Sequence, residues 1–172
     1  MRILETPRLI LREFLPEDAD ALALILCDPE TMRFYPEPYD RAGVEAWIER
    51  NRRRYREDGV SLWAMVLKET GEMIGDCGII LQQVEGESLY EIGYHLRRDL
   101  WHQGLATEAA VACRDWGFAH LPIDRLISLI RPENQPSRRV AERNGMTIWK
   151  EVNWRGLQHY VYALRRPAAP LS

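Results

Sequence analysis

The chain has 172 residues and an apolar share of 46%, which suits one domain with a sizeable core and is too short for two comfortable ones. Its 23 basic residues against 26 acidic ones, net −3, exclude the strongly basic field expected of a protein whose primary ligand is nucleic acid. Cys27, Cys77 and Cys113 form no C-x-x-C or Cys/His pattern, so neither a disulfide framework nor a metal site is expected. With no leader-like start and no apolar run near the ~18 residues of a membrane span, a cytoplasmic protein with no membrane partner is expected.

Residues 8–14 read as a strand, and Leu15-Pro16-Glu17-Asp18 opens a helix carrying Ala21, Leu22, Ile25 and Leu26 on one side. An irregular loop follows over 27–40, with Pro29, Pro36 and Pro38 among Phe34, Tyr35 and Tyr39. Beyond it Val44, Trp47, Ile48, Asn51 and Tyr55 keep helical spacing. Extended runs at 61–67, 73–81 and 88–97 are separated by Glu69-Thr70-Gly71-Glu72 and Val84-Glu85-Gly86-Glu87, which predicts an antiparallel meander. The helix predicted over 104–120 puts Leu105, Ala109, Ala112 and Trp116 at core spacing, and 126–130 is an apolar strand. Strand, crossover helix and strand imply one parallel pairing. A shorter helix over 135–144 stops at Gly145, and strands at 147–152 and 157–164 complete the pattern. The predicted order is β-α-α-β-β-β-α-β-α-β-β in a single domain over 1–166, with 167–172 a frayed tail.

Two segments carry chemistry. In the first, the strand Glu91-Ile92-Gly93-Tyr94-His95-Leu96 leads through a polar turn to Trp101-His102-Gln103-Gly104-Leu105-Ala106-Thr107-Glu108-Ala109. A strand, a glycine turn and a helix start converge unpaired N–H groups at the positive end of a helix dipole, which makes an anion cradle. Gly104 alone is equally an ordinary turn, but the small residues around it let a ligand lie close. The segment lacks the Lys-Ser/Thr pair of a P-loop and the three-glycine spacing of a dinucleotide fingerprint. In the second segment, Asn134 and Ser137 stand where a helix begins, as a cap or as a ligand contact.

Glu91-Ile92-Gly93-Tyr94, the 101–109 run, Asn134-Gln135-Pro136-Ser137 and Asn144-Gly145-Met146 together resemble GNAT N-acetyltransferases, particularly the branch similar to RimJ/RimL ribosomal-protein alanine acetyltransferases. Glu5-Thr6-Pro7-Arg8-Leu9-Ile10-Leu11-Arg12 is similar to that branch too, and the likeness runs from about Leu4 to Leu164 in order and spacing. The resemblance implies an α/β GNAT fold: a central mixed, mostly antiparallel sheet with helices on both faces and a V-shaped splay between two central parallel strands. It implies acetyl-CoA as cosubstrate, with the pyrophosphate on the amides of Gln103, Gly104, Leu105, Ala106 and Thr107. The neighbouring Trp101 and His102 belong to the same site, and pantetheine bonds to backbone around Ile92, Gly93, Tyr94 and Leu96. Asn134 would meet the pantetheine or cysteamine region, with Ser137 near the sulfur. No metal is implied, and a homodimer is compatible with the branch.

Transfer of an acetyl group to a primary amine needs a neutral amine, a polarised carbonyl and a proton for the leaving thiolate. The backbone amide of Tyr94 can polarise the carbonyl. Glu91 is the first candidate base, set against a solvent-facing strand residue. His95, two residues on and on the same face, and His159 are further candidates. Where many family members carry a tyrosine general acid this chain has Ala141, so Ser137 becomes the candidate relay. The missing tyrosine also leaves open a non-catalytic acetyl-CoA-binding regulatory module. The acceptor divides between a peptide or protein N-terminus and a small amine. Arg50 to Arg56 reads as a solvated helix face balanced by Glu45, Glu49, Glu57 and Asp58 more readily than as a polyanion site. Phe34, Tyr35, Tyr39, Trp47 and Trp154 are either core or walls of an acceptor pocket.

Overall fold

The computed structural model describes residues 1–168, so most of the tail expected over 167–172 lies outside the described residues. Eight strands form one sheet: β1 (Arg2–Glu5), β2 (Leu9–Arg12), β3 (Leu62–Leu67), β4 (Met73–Val84), β5 (Glu87–Leu96), β6 (Arg125–Ile130), β7 (Thr147–Trp154) and β8 (Leu157–Arg165). Their spatial order is β1-β2-β3-β4-β5-β6-β8-β7, antiparallel at every junction except β5 with β6. The helices are α1 (Ala19–Leu26), α2 (Arg41–Glu57), α3 (Leu105–His120) and α4 (Gln135–Arg143).

Alternation along the strands sorts the core onto the two faces of the sheet, with a smaller cluster of Val84, Leu89, Ile127, Val152 and Val161 joining β4 and β5 to β6, β7 and β8. Trp63 and Met65 of β3 and Cys77 and Ile79 of β4 pack with Leu105, Ala109 and Cys113 of α3. On the opposite face Leu62 and Ala64 of β3 and Ile80 of β4 pack with Leu22, Ile25 and Leu26 of α1 and Val44 and Ile48 of α2. Helices thus cover both faces, as the resemblance implied.

Three local expectations shift. The opening strand is shorter than 8–14, and β1 precedes it, paired antiparallel with β2 across Thr6-Pro7-Arg8. A four-residue edge strand shows too few alternations to be read by periodicity. The expected α1 begins as a 3-10 turn at Pro16–Asp18, which Arg12 ties down through two bonds to the Asp18 carboxylate at 2.7 and 2.8 Å. In α3 the fully buried stripe is Leu105, Ala109, Ala110, Cys113, Gly117 and Phe118, whereas Ala112 and Trp116 are half-buried. Within the stripe Ala110 also meets Asn144, whose side-chain amide donates to its carbonyl at 3.3 Å.

The hairpins are tight. Glu85-Gly86 and Arg155-Gly156 each join two strands with both residues at positive φ, as a two-residue type I′ turn requires. The second turn lifts Arg155 to the tip of the β7–β8 hairpin.

Candidate active site

One registered pair, Glu91 with Ile127, joins β5 to β6, against ten between β4 and β5; the sheet therefore opens immediately beyond it. A regular parallel ladder would carry the Leu129 N–H to the Ile92 carbonyl. Instead Leu129 N–H donates to Glu91 Oε2 at 2.9 Å, and Ser128 Oγ donates to the Ile92 carbonyl at 2.7 Å. The side chains of Glu91 and Ser128 thus satisfy the groups orphaned where the strands part.

Glu91 is 8% exposed, and the Gln82 side-chain amide donates to its Oε1 at 3.3 Å. Burial pushes its carboxyl up to about 7, against the opposing pull of the Leu129 and Gln82 bonds and of Arg155 and His95. A carboxylate poised near neutrality is suited to accept and release a proton.

On β5 the Arg97 N–H that follows the strand bonds to Ile74 on the β4 side. By alternation the amides of Ile92, Tyr94 and Leu96 turn toward the opening. The Leu96 carbonyl there takes the Trp101 indole N–H at 2.9 Å, and the Tyr94 hydroxyl crosses the gap to the Ser137 carbonyl at 2.7 Å.

The turn into α3 folds through two left-handed residues, His102 (φ 62°) and Gly104 (φ 79°). A side chain at Gly104 would be strained by that φ and would meet Arg8 Nη2 at 3.5 Å. The β1–β2 turn clamps this loop. Glu108, in the first turn of α3, accepts from Thr6 Oγ1 at 2.6 Å, Arg8 N–H at 2.9 Å and Arg8 Nε at 2.7 Å, while Arg8 Nη1 donates to the Gln103 carbonyl at 2.9 Å. Burial alone would raise the Glu108 carboxyl, but the bonds from Thr6 and Arg8 bring it below its usual value. Loop amides at the start of a 16-residue helix make a cradle that fits a phosphate.

Two cavities flank the opening. The first, about 350 Å³, is lined by Tyr94, Leu96, Trp101, His102, Gly104, Leu105, Ala106, Thr107, Asn134 and Ser137, with Arg33, Arg139 and Arg143 supplying positive charge. Gln103 lines neither cavity. The second, about 410 Å³, holds Glu91, Ile92 and Gly93 together with Trp47, Tyr39, Trp154 and His159. Phe34, Tyr35, Tyr94, His95, Asn134 and Ser137 border both cavities, so these meet at the splay. Phe34, Tyr35, Tyr39, Trp47 and Trp154 all line the second cavity, although Trp47 also sits in the core at 8% exposure.

Asn134 caps α4, its Oδ1 accepting from the Ser137 N–H at 3.2 Å, and it lines both cavities as well. Ala141 is 1% exposed within the core, so position 141 sends nothing into either cavity. His95 is held at both ring nitrogens, by Asp76 Oδ1 at 2.8 Å and by the Tyr35 hydroxyl at 2.7 Å. His159 Nδ1 bonds to the Leu157 carbonyl at 2.9 Å, and burial lowers its basicity.

Sequence reasoning missed Asp76, Gln82 and Ser128. Asp76 carried a readable signal: it is a lone carboxylate inside the apolar run Met73-Ile74-Gly75-Asp76-Cys77-Gly78-Ile79-Ile80, and a buried charge needs a partner. It is 0% exposed and also receives the Trp47 indole N–H at 3.3 Å.

The family described as "Acetyltransferase (GNAT) domain" matches residues 8–147. The uncharacterized protein YkkB of Bacillus subtilis is 40% identical over 136 residues, 79% of this chain and 79% of its own. The uncharacterized N-acetyltransferase p20 of Bacillus licheniformis is 34% identical over 154 residues, 88% of this chain and 84% of its own. Among solved structures, RimL, a ribosomal L7/L12 alpha-N-protein acetyltransferase in complex with coenzyme A, shares the fold. Its TM-score is 0.78 at 19% identity, covering 96% of this chain and 98% of that one.

Proposed function

The chain belongs to the GNAT acetyltransferase family, and from that premise we propose that it moves the acetyl group of acetyl-CoA to a primary amine in the cytoplasm, by direct attack within a ternary complex. The carrying observation is the splayed β5–β6 junction, with an anion cradle at one end and, in the second cavity, a carboxyl that burial pushes up to about 7. The acetyl donor's phosphates belong on the amides of residues 103–107, near Arg33, Arg139 and Arg143. The Tyr94 amide, turned into the opening, donates to the thioester oxygen as charge builds there, and its fixed orientation costs little reorganisation.

Glu91, ionised, takes the proton of the incoming ammonium, directly or through one water, so that a neutral amine attacks. His95 is poorly suited to that role because both its nitrogens are already bonded, so it steadies Tyr35 at the cavity junction instead. Ser137 relays a proton to the departing thiolate, its hydroxyl giving one up as it takes one from the ammonium nitrogen of the collapsing tetrahedral intermediate, in place of the tyrosine that Ala141 cannot supply. No cysteine stands in either motif segment to carry a covalent acetyl group, so the route has no acetyl-enzyme.

Ala141 also favours a second reading, a module that holds acetyl-CoA without turning it over. Thiol release measured across amines and peptides separates the two. We expect turnover, with Glu91→Gln lowering kcat by about 10²-fold or more while acetyl-CoA affinity changes little. Ser137→Ala should slow thiol release. Tight acetyl-CoA binding with no turnover on any acceptor would establish the module instead.

A further inference from the structure

The run Arg50-Asn51-Arg52-Arg53-Arg54-Tyr55-Arg56 divides in two on α2. Arg52 pairs with Glu49 at 2.6 Å and Arg53 with Glu57 at 3.6 Å, on a solvated face. Arg50 and Arg54 leave that face and line the second cavity, where Arg155 from the β7–β8 hairpin tip and Arg131 from the end of β6 join them. Glu91 is the one carboxylate in the same lining.

Of these arginines only Arg131 has an ion-pair partner among the described residues, its Nη2 meeting Glu133 Oε1 at 2.5 Å. Arg50 lies over the Trp47 ring at 4.9 Å and Arg155 over the Trp154 ring at 4.2 Å, and among the described residues neither they nor Arg54 has a carboxylate within ion-pair distance. Burial lowers the basicity of Arg54, with Arg50 and Arg155 adding to that effect and Asp58 opposing it. The Nε of Arg131 is buried and without a hydrogen-bond partner. Like charges brought together with an orphaned donor are costly unless an anion completes them. They lie in the acceptor cavity, lined separately from the phosphate cradle, so the donor's phosphates do not account for them.

Resting on the acetyl-transfer reading above, we propose that the acceptor is a small amine bearing a carboxylate, as in an amino acid, with its amine at Glu91 and its carboxylate on Arg54 and Arg155. A cavity of about 410 Å³ suits a molecule of that size. Polycationic amines such as polyamines are disfavoured by the same charges.

Matched pairs test this. Thiol release is followed with free amino acids, with their carboxamides, with dipeptides and with spermidine, alongside calorimetric binding of each to the protein carrying CoA. The carboxamide's amine is the less basic, so simple nucleophile availability favours it. A preference for the free acid therefore reports recognition of the carboxylate. We expect free amino acids to be the better substrates, and Arg54→Ala or Arg155→Ala to raise their KM by about tenfold or more with acetyl-CoA affinity unchanged. Arg155→Glu should move preference toward the carboxamide, and Arg52→Ala should change nothing. Preference for dipeptides with an acidic second residue would move the anion's source to a peptide and overturn the small acceptor. Turnover of carboxamides or spermidine in preference to acids would overturn the proposal while leaving acetyl transfer standing. Saturable, Arg54-dependent binding of acids without thiol release would uphold the anion site and sink the transfer reading. No binding of any acid overturns the proposal outright.

Discussion

Glu91 reconciles two demands at one carboxyl. As the partner of the Leu129 N–H it replaces a missing ladder bond, and as a buried acid raised to about 7 it exchanges its proton near neutrality. If it is the base, kcat/KM rises with pH through an apparent pKa of about 7, and Glu91→Gln flattens that limb. Stability moves the other way. Between the ordinary 4.5 and about 7 the native state binds the proton that the unfolded chain has released, so the stabilisation is complete below 4.5 and is lost as pH rises through 7. The shift corresponds to ~3 kcal/mol, read as the difference between urea unfolding of the wild type and of Glu91→Gln at pH 4.5 and pH 8. Glu91 was legible because a strand segment and a family pattern coincide on it. Asp76 was legible only as a lone carboxylate in an apolar run that needs a partner; which partner it takes arises from the register that sets β4 Asp76 opposite β5 His95. Nor did helical spacing separate Arg54 from Arg53, since only the packing of α2 decides which arginine faces the cavity.

At the scale of elements, the missed β1 and the expected cradle belong together. The turn between β1 and β2 carries Thr6 and Arg8 to the first turn of α3, about a hundred residues away in sequence, and fixes the loop whose amides are proposed to take the phosphate. That explains why Thr6-Pro7-Arg8 shares the family pattern, although nothing local in those residues announces a ligand. Long strands and helices were readable from their periodicity, while a clamp built from a four-residue edge strand depends on tertiary contact alone. Arg8→Ala leaves the core untouched, because Arg8 is exposed. It removes charge-assisted bonds from the Glu108 carboxylate and from the Gln103 carbonyl, so acetyl-CoA should bind roughly 5- to 10-fold more weakly by titration calorimetry, with Glu91-dependent pH behaviour intact. Gly104→Ala should weaken binding in the same direction, since the left-handed φ of 79° strains any other side chain.

For the whole molecule, the sheet is two plates, β1 to β5 and β6-β8-β7, joined by one backbone pair. Side chains add further ties, among them Tyr94 to Ser137, Ser128 to Ile92, Glu91 to Leu129, Trp154 to Gln83, Lys150 to Glu85, and Asn144 together with Arg114 between α3 and the end of α4, and apolar packing of Val84 and Leu89 on Ile127, Val152 and Val161 joins them. A ligand lying in the splay and taking the amides of Tyr94 and Leu96 would act as the missing strand and couple the plates. Saturating acetyl-CoA at about 100 times its Kd contributes ~2.7 kcal/mol, a Tm increase of roughly 5–10 °C for a domain of this size. The distribution of that gain is the sharper test. Hydrogen exchange should slow at Tyr94 and Leu96 and across β6, β7 and β8, which touch the cradle nowhere, as well as at the start of α3. Protection confined to residues 101–109 would mean that the ligand is held by its phosphates alone and that the plates are not bridged. Protection spread through both plates would identify the single-pair junction as the element by which donor binding rigidifies the second cavity, whose walls come from α2 on one plate and the β7–β8 hairpin on the other.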